Sequence, residues 1–182
     1  MSSAQAMDIN TPVTGFQSNT APQLAGKYMT FKLSSEEYGL EVLKVRDVIG
    51  LMDITRVPKT RDFIRGVINL RGRIIPVVDL RLKFGMKETQ LSDQTVIIVV
   101  QFDTGERELT MGILVDEVLE VMDIAAEKIE PPPDFGVGGI DTEFILGTGK
   151  HGKRVIFLLD IGRVLKADET KHLLETTEGR KE

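Results

Sequence analysis

Phe63-Ile64-Arg65-Gly66, then Arg73-Ile74-Ile75-Pro76-Val77-Val78-Asp79-Leu80, is the stretch on which the reading of this chain turns, because it occurs twice. The second copy lies 81 residues on: Phe144-Ile145-Leu146-Gly147, then Arg154-Val155-Ile156-Phe157-Leu158-Leu159-Asp160-Ile161. An upstream segment repeats at a spacing of 73, with Gly39, Val42, Val45 and Val48 matching Gly112, Val115, Val118 and Val121. The offset grows because the second copy carries a longer connection at 130–140, containing Pro131-Pro132-Pro133 and several glycines. A duplicated unit of this size predicts two similar small domains related by pseudo-symmetry. Differences between the copies then mark where function has been added.

Each copy holds the same local signals. Lys27–Leu33 and Tyr38–Lys44 read as strands across a turn at Ser34-Ser35-Glu36-Glu37. Val45, Val48, Ile49 and Met52 fall at helical spacing and predict one face of a short helix, as do Val118, Val121, Met122 and Ala125. Phe63–Leu70 and Arg73–Asp79 predict a hairpin whose turn uses Gly72 for a positive φ. Asp79 and Asp160 each precede a short helical turn and read as N-caps, with Gly85 as the first turn's stop. Thr95–Phe102 is apolar on both faces and predicts a strand buried on both, paired with Glu106–Val115 across Asp103-Thr104-Gly105. Glu143–Gly147 and Arg154–Leu159 form the second hairpin, and Glu169–Glu175 extends a C-terminal helix. Short strands, tight turns and no long helix point to an all-β protein of two small antiparallel barrels.

The domain plan is a tail at 1–26, a first half at 27–88, a second at 92–166 and a C-terminal helix or tail at 167–182. Whether strands exchange between the halves is open. The 182 residues suffice to bury a core without staples, and there is no cysteine to form a disulfide or thiolate site. Residues 1–26 are rich in Ser, Ala, Gln, Asn and Thr and lack an apolar core, so they read as a disordered tail, not a signal peptide. No apolar run reaches the ~20 residues that span a bilayer.

The net charge of −5 conceals an asymmetry. Residues 56–83 hold eight basic and two acidic side chains, whereas 103–143 hold twelve acidic and two basic. A nucleic-acid binder shows a dominant basic face with stacking aromatics, and here the basic stretch has only Phe63. Two solvated faces of opposite sign, or oriented docking between proteins, fit better.

No catalytic constellation emerges. Gly147-Thr148-Gly149-Lys150-His151-Gly152-Lys153 nearly spells a phosphate loop, but Arg154 stands where Ser or Thr would hold Mg²⁺, and a strand follows where a helix should. It reads as a hairpin loop. His151 and His172, the only histidines, have neither metal-ligand spacing nor an activated nucleophile beside them. Arg71, at the tip of the first hairpin, is the singular residue: either a solvated turn arginine or an anchor at a protein interface. The Val45/Val48/Ile49/Met52 stripe is core or one wall of a partner-binding groove, with Val118 and Val121 on the other wall.

Phe63 through Arg81, with its R-G-x-x-N-L-R-G-x-I-x-P-V-x-D-L run, resembles the CheW family of bacterial chemotaxis. Glu37-Tyr38-Gly39-Leu40, Leu43-Lys44-Val45, and Val115-Asp116 with Val118 add to the likeness, which covers roughly 27–166. The resemblance implies two SH3-like five-stranded β-barrels and an adaptor without catalytic activity, cofactor or metal. Such an adaptor, a monomer when free, binds the regulatory domain of the histidine kinase CheA and the cytoplasmic tip of methyl-accepting chemotaxis receptors. It works in the cytoplasm, is recruited to receptor arrays, and neither binds nucleic acid nor inserts in the membrane. Carried over by position, receptor binding would involve Val45, Asp47, Val48, Gly66, Asn69 and Arg71, with Val96, Val118 and Val121. Kinase binding would involve Phe144 and Gly147. The residues themselves leave three other readings open: a scaffold for another receptor-linked kinase, a nucleotide-dependent enzyme using 147–154, and an oligonucleotide-binding barrel.

Overall fold

The computed structural model describes residues 21–88, 90–132 and 144–165. In chain order it holds α1 (Ala21–Leu24), β1 (Gly26–Leu33), β2 (Glu36–Glu41), a 3₁₀ turn (Val42–Lys44), β3 (Val45–Gly50), β4 (Ile64–Leu70), β5 (Arg73–Asp79) and α2 (Leu80–Lys83). Then come β6 (Val96–Asp103), β7 (Glu108–Val115), β8 (Glu117–Ile124), a 3₁₀ turn (Ala126–Lys128), β9 (Ile129–Glu130), β10 (Ile145–His151), β11 (Arg154–Leu159) and α3 (Ile161–Val164). Residues 1–20, most of the 130–140 connection, His172 and the helix expected at 169–175 lie outside the described residues.

The strands form a six-stranded sheet, β8-β1-β2-β11-β10-β9, and a five-stranded sheet, β3-β6-β7-β5-β4. Each draws strands from both 27–88 and 92–166. The hairpin that opens each half, β1-β2 or β6-β7, joins the strands that close the other half. The joins are parallel: Ile156, Phe157 and Leu158 face Glu37, Tyr38 and Gly39, just as Val77 and Val78 face Gly112 and Ile113. A hairpin cannot produce a parallel pair, so these joins require strands distant in sequence.

Both sheets close on themselves in the same way. Beyond β3 the chain returns to β4, where Thr55 and Val67 exchange hydrogen bonds of 2.8 and 2.9 Å. Beyond β8 it returns as β9 to pair with β10, Glu130 facing Thr148. The close approach explains two glycines. A Cβ on Gly66 would sit 2.1 Å from the Thr55 carbonyl oxygen, and one on Gly147 3.0 Å from that of Glu130.

The duplicated valine stripes are strands, not helices. Val45–Gly50 runs antiparallel to β6 and Glu117–Ile124 antiparallel to β1. β-Branched residues at 45, 48, 49, 118 and 121 suit a pleated surface, and an unsatisfied strand edge lies beside each. Tertiary pairing therefore overrides the helical spacing: Val45 and Ile49 turn inward while Val48 turns out.

The hairpin and cap readings hold. The β4–β5 turn has positive φ at both central residues, Arg71 (53°) and Gly72 (85°), the backbone a two-residue hairpin needs. Asp79 accepts the Leu82 N–H at 3.3 Å, and Asp160 that of Arg163 at 3.2 Å. The sequence Gly147–Lys153 forms strand β10 and its turn into β11, with no helix following.

Among the described residues three apolar clusters result. One lies inside the six-stranded barrel (Tyr28, Met122, Ile124, Ile129, Ile156, Leu158) and one inside the five-stranded barrel (Ile68, Ile75, Val77, Ile97, Val99, Leu114). The third and largest is shared: Phe31, Leu33, Tyr38 and Leu40 from one sheet pack with Val78, Ile98, Val100, Met111 and Ile113 from the other. Tyr38 stacks on Phe31 at 5.8 Å between ring centroids and lies against Phe84 and Phe157.

Candidate functional site

The sequence-derived residues divide by position into a wall on each barrel, a seam between them and two buried glycines. On the five-stranded barrel, Asp47 sits on β3 just past a ladder irregularity between Val45 and Asp47. Its Oδ1 accepts the Val48 N–H at 2.9 Å, while its Oδ2 faces the Arg71 guanidinium at 3.4 Å. Arg71 projects from the β4–β5 turn with its side chain 83% exposed. Asn69 fixes that turn by accepting the Gly72 N–H at 3.0 Å. The result is a cation held out from a constrained backbone and tethered, among the described residues, by one long, weak contact. Val48 is exposed beside it.

Val45 and Val96 on this barrel and Val118 on the other are half-buried, and all three pack against the shared core. They are seam residues, so the apolar content of the candidate site is the outer margin of the inter-barrel core. Sequence reasoning missed Met29, which joins the same margin and faces Val121 across β1 and β8. It also gave no role to Leu43, which is 85% exposed on the 3₁₀ turn between β2 and β3. An apolar residue in a turn leaves no periodic signal by which to find it.

On the six-stranded barrel, Val121 is exposed on β8. Next to it Glu120 takes the place that Asp47 holds on β3, and here too the ladder is irregular, between Met29 and Phe31 on β1. Thr30 fills the gap: its hydroxyl donates to the Glu120 carbonyl at 2.9 Å and accepts the Glu120 N–H at 3.2 Å. The Glu120 carboxylate meets Arg154 at 3.0 Å.

Gly66 and Gly147 are buried and explained by the barrel closures, so neither presents surface to a partner. Phe144 is half-buried, its ring stacked on Phe84 at 4.9 Å and its carbonyl accepting the Asp160 N–H at 2.8 Å. Burial, and then the Glu36 carboxylate that accepts its hydroxyl at 2.9 Å, push the Tyr38 phenol well above the ordinary range. Among the described residues no group of three or more His, Asp or Glu is placed to hold a metal, and no helix is long and apolar enough to cross a membrane.

The arrangement offers surfaces for contact: two barrels, an apolar seam and an exposed arginine on one flank. Residues 27–169 match the family model described as the CheW-like domain. The chain is 41% identical over 155 residues to the chemotaxis protein CheW of Klebsiella aerogenes, covering 82% of this chain and 90% of that one. It is 31% identical over 145 residues to that of Bacillus subtilis, covering 80% and 90%. Among solved structures it resembles the scaffolding protein TtCheW from Thermoanaerobacter tengcongensis, with a TM-score of 0.70 and 37% identity over 80% of this chain and 95% of that one. These define a two-barrel scaffold class. The chain belongs to the CheW-like family and is a chemotaxis adaptor.

Proposed function

We propose that this adaptor couples methyl-accepting chemotaxis receptors to the histidine kinase CheA, and that it does so without chemistry of its own. The receptor's helical hairpin tip lies along the seam. Val45, Val96 and Val118 supply its apolar floor, Val48 and Val121 its rims, and Asp47, Asn69 and Arg71 a polar flank. Gly66 and Gly147 act indirectly, by letting each barrel close. Phe144 lies on the surface offered to the kinase regulatory domain. The chain works as a free monomer in the cytoplasm and is recruited to receptor arrays. The observation that carries this reading is the Arg71 turn. Two consecutive positive φ angles and the Asn69 bond hold the tip, so the guanidinium is presented rather than folded back. Arginine is among the residue types enriched at interface hot spots.

The test is reconstitution. Kinase autophosphorylation with receptor-bearing membranes is expected to rise only when this chain is added, and to fall again with attractant. Arg71→Glu should lower receptor recruitment about tenfold, equivalent to ~1.4 kcal/mol, while leaving kinase binding and circular dichroism unchanged. Native recruitment by that variant would remove Arg71 from the site. Kinase activity indifferent to the chain, with competent partners, would overturn the coupling role.

A further inference from the structure

The two walls are built alike but held differently. β3 and β8 carry a ladder irregularity at corresponding places in the repeat, with a carboxylate just past it on β3, Asp47, and within it on β8, Glu120. An arginine from the hairpin of the same barrel meets each one. On β3 the contact is Arg71 to Asp47 at 3.4 Å, with Arg71 almost fully in solvent. On β8 it is Arg154 to Glu120 at 3.0 Å, and Arg154 is itself gripped by Glu37 of β2. Its Nε donates to both Glu37 oxygens at 3.0 Å and a terminal nitrogen donates at 2.7 Å. The Arg154 side chain is 37% exposed and that of Glu37 only 17%.

Arg154 therefore ties three strands: β11, which bears it, adjoining β2, and β8, which terminates the sheet two places further on. Among the described residues β8 pairs on one edge only, and at Glu120 that ladder is interrupted, so Thr30 and Arg154 hold this point of the strand. Charge-assisted, multiply bonded arginine contacts are the strong and geometrically demanding kind. The matching position in the first copy, Arg73, takes part in no ion pair among the described residues, so there the clamp is found in the second copy.

We infer that Arg154 is a positioning residue for the receptor-facing seam: through Glu120 it makes the β8 wall a fixed reference, against which the Arg71 wall adjusts to the bound helix. This rests on the receptor-coupling reading and assigns the two walls distinct duties. Arg154 touches no partner; it acts through Val118 and Val121, which flank Glu120.

The chain has no cysteine, so one nitroxide at Asp123→Cys on β8 reports that strand alone. In the free protein, Arg154→Met should mobilise this label, and Glu120→Gln should do the same. The double variant should be no worse than either single one, as for residues acting as a unit. Receptor recruitment should fall about fivefold to tenfold in each, with kinase binding unchanged and partial recovery in Arg154→Lys, which restores charge but not the bidentate geometry. An unchanged label in folded variants would overturn the proposal. So would mobilisation of the label with undiminished recruitment, measured beside an Arg71→Glu control that does lose it. If the unsubstituted chain recruits no receptor, the coupling reading fails instead, and the label alone still decides whether Arg154 fixes β8.

Discussion

At the scale of single residues, burial decides which polar groups matter. The Tyr28 hydroxyl donates to the Leu24 carbonyl at 2.6 Å inside the six-stranded barrel. Burial first, and the Glu41 charge second, raise its phenol from 10.0 to about 12. An acid whose pKa is raised on folding is neutral in both states below the unfolded value, so stability there is unaffected. As pH climbs past 10 the unfolded chain ionises first, and stability is lost until the folded phenol also ionises near 12. Denaturant midpoints are expected to be flat in Tyr28's contribution from neutral pH to about 9, then to decline. Tyr28→Phe should decline less over the same range. An identical alkaline profile in the two proteins would mean that Tyr28 is not the group responsible.

At the scale of elements, the closures are the sensitive points. Gly66 combines a φ of 138° with backbone 2.1 Å from any added Cβ, whereas at Gly147 the nearest backbone atom would be 3.0 Å away and the φ is not in the left-handed region. The first site must move its partner segment and strain its backbone; the second must yield only by tenths of an ångström. Gly66→Ala is expected to destabilise by roughly 3 kcal/mol or more and Gly147→Ala by about 1 kcal/mol, as read from urea midpoints. Equal costs would show that neither the closer carbonyl nor the positive φ at Gly66 sets the penalty. Both glycines were visible in the sequence because they repeat. Their reason was not, because the carbonyls they accommodate, of Thr55 and Glu130, come from segments with no repeat signature.

At the scale of the molecule, the shared core makes the two barrels one cooperative unit. Phe31, Leu33, Tyr38 and Leu40 share one buried cluster with Val78, Ile98, Val100 and Met111 of the other sheet. Neither barrel keeps its apolar surface covered if the other unfolds. The protein is expected to unfold in one transition. The chain has no tryptophan, and both tyrosines, Tyr28 and Tyr38, lie in the six-stranded sheet. Tyrosine emission thus reports one barrel and far-ultraviolet dichroism both. Their midpoints should coincide; a separation of the two curves would mean that the barrels melt independently.

The sequence by itself determined what is local or repeated. The duplication announced two alike units. Asn69 to Gly72 specified a tight turn, and Asp79 and Asp160 specified caps, since each acts within four residues of itself. The exposed arginine followed from that turn. Tertiary structure alone decided the rest. Val45, Val48, Ile49 and Met52 spell a helix face until β6 offers a strand edge, and hydrogen bonding to a distant neighbour outweighs a weak local period. The allotment of β1 and β2 to the second half's strands, and of β6 and β7 to the first's, left no mark in the sequence either. Parallel ladders carry no turn, and two alike halves can each satisfy the other's edges as well as their own. The grip of Arg154 on Glu37 and Glu120 is of the same kind, joining residues 117 and 34 positions apart. Only the closed barrel brings those charges within reach.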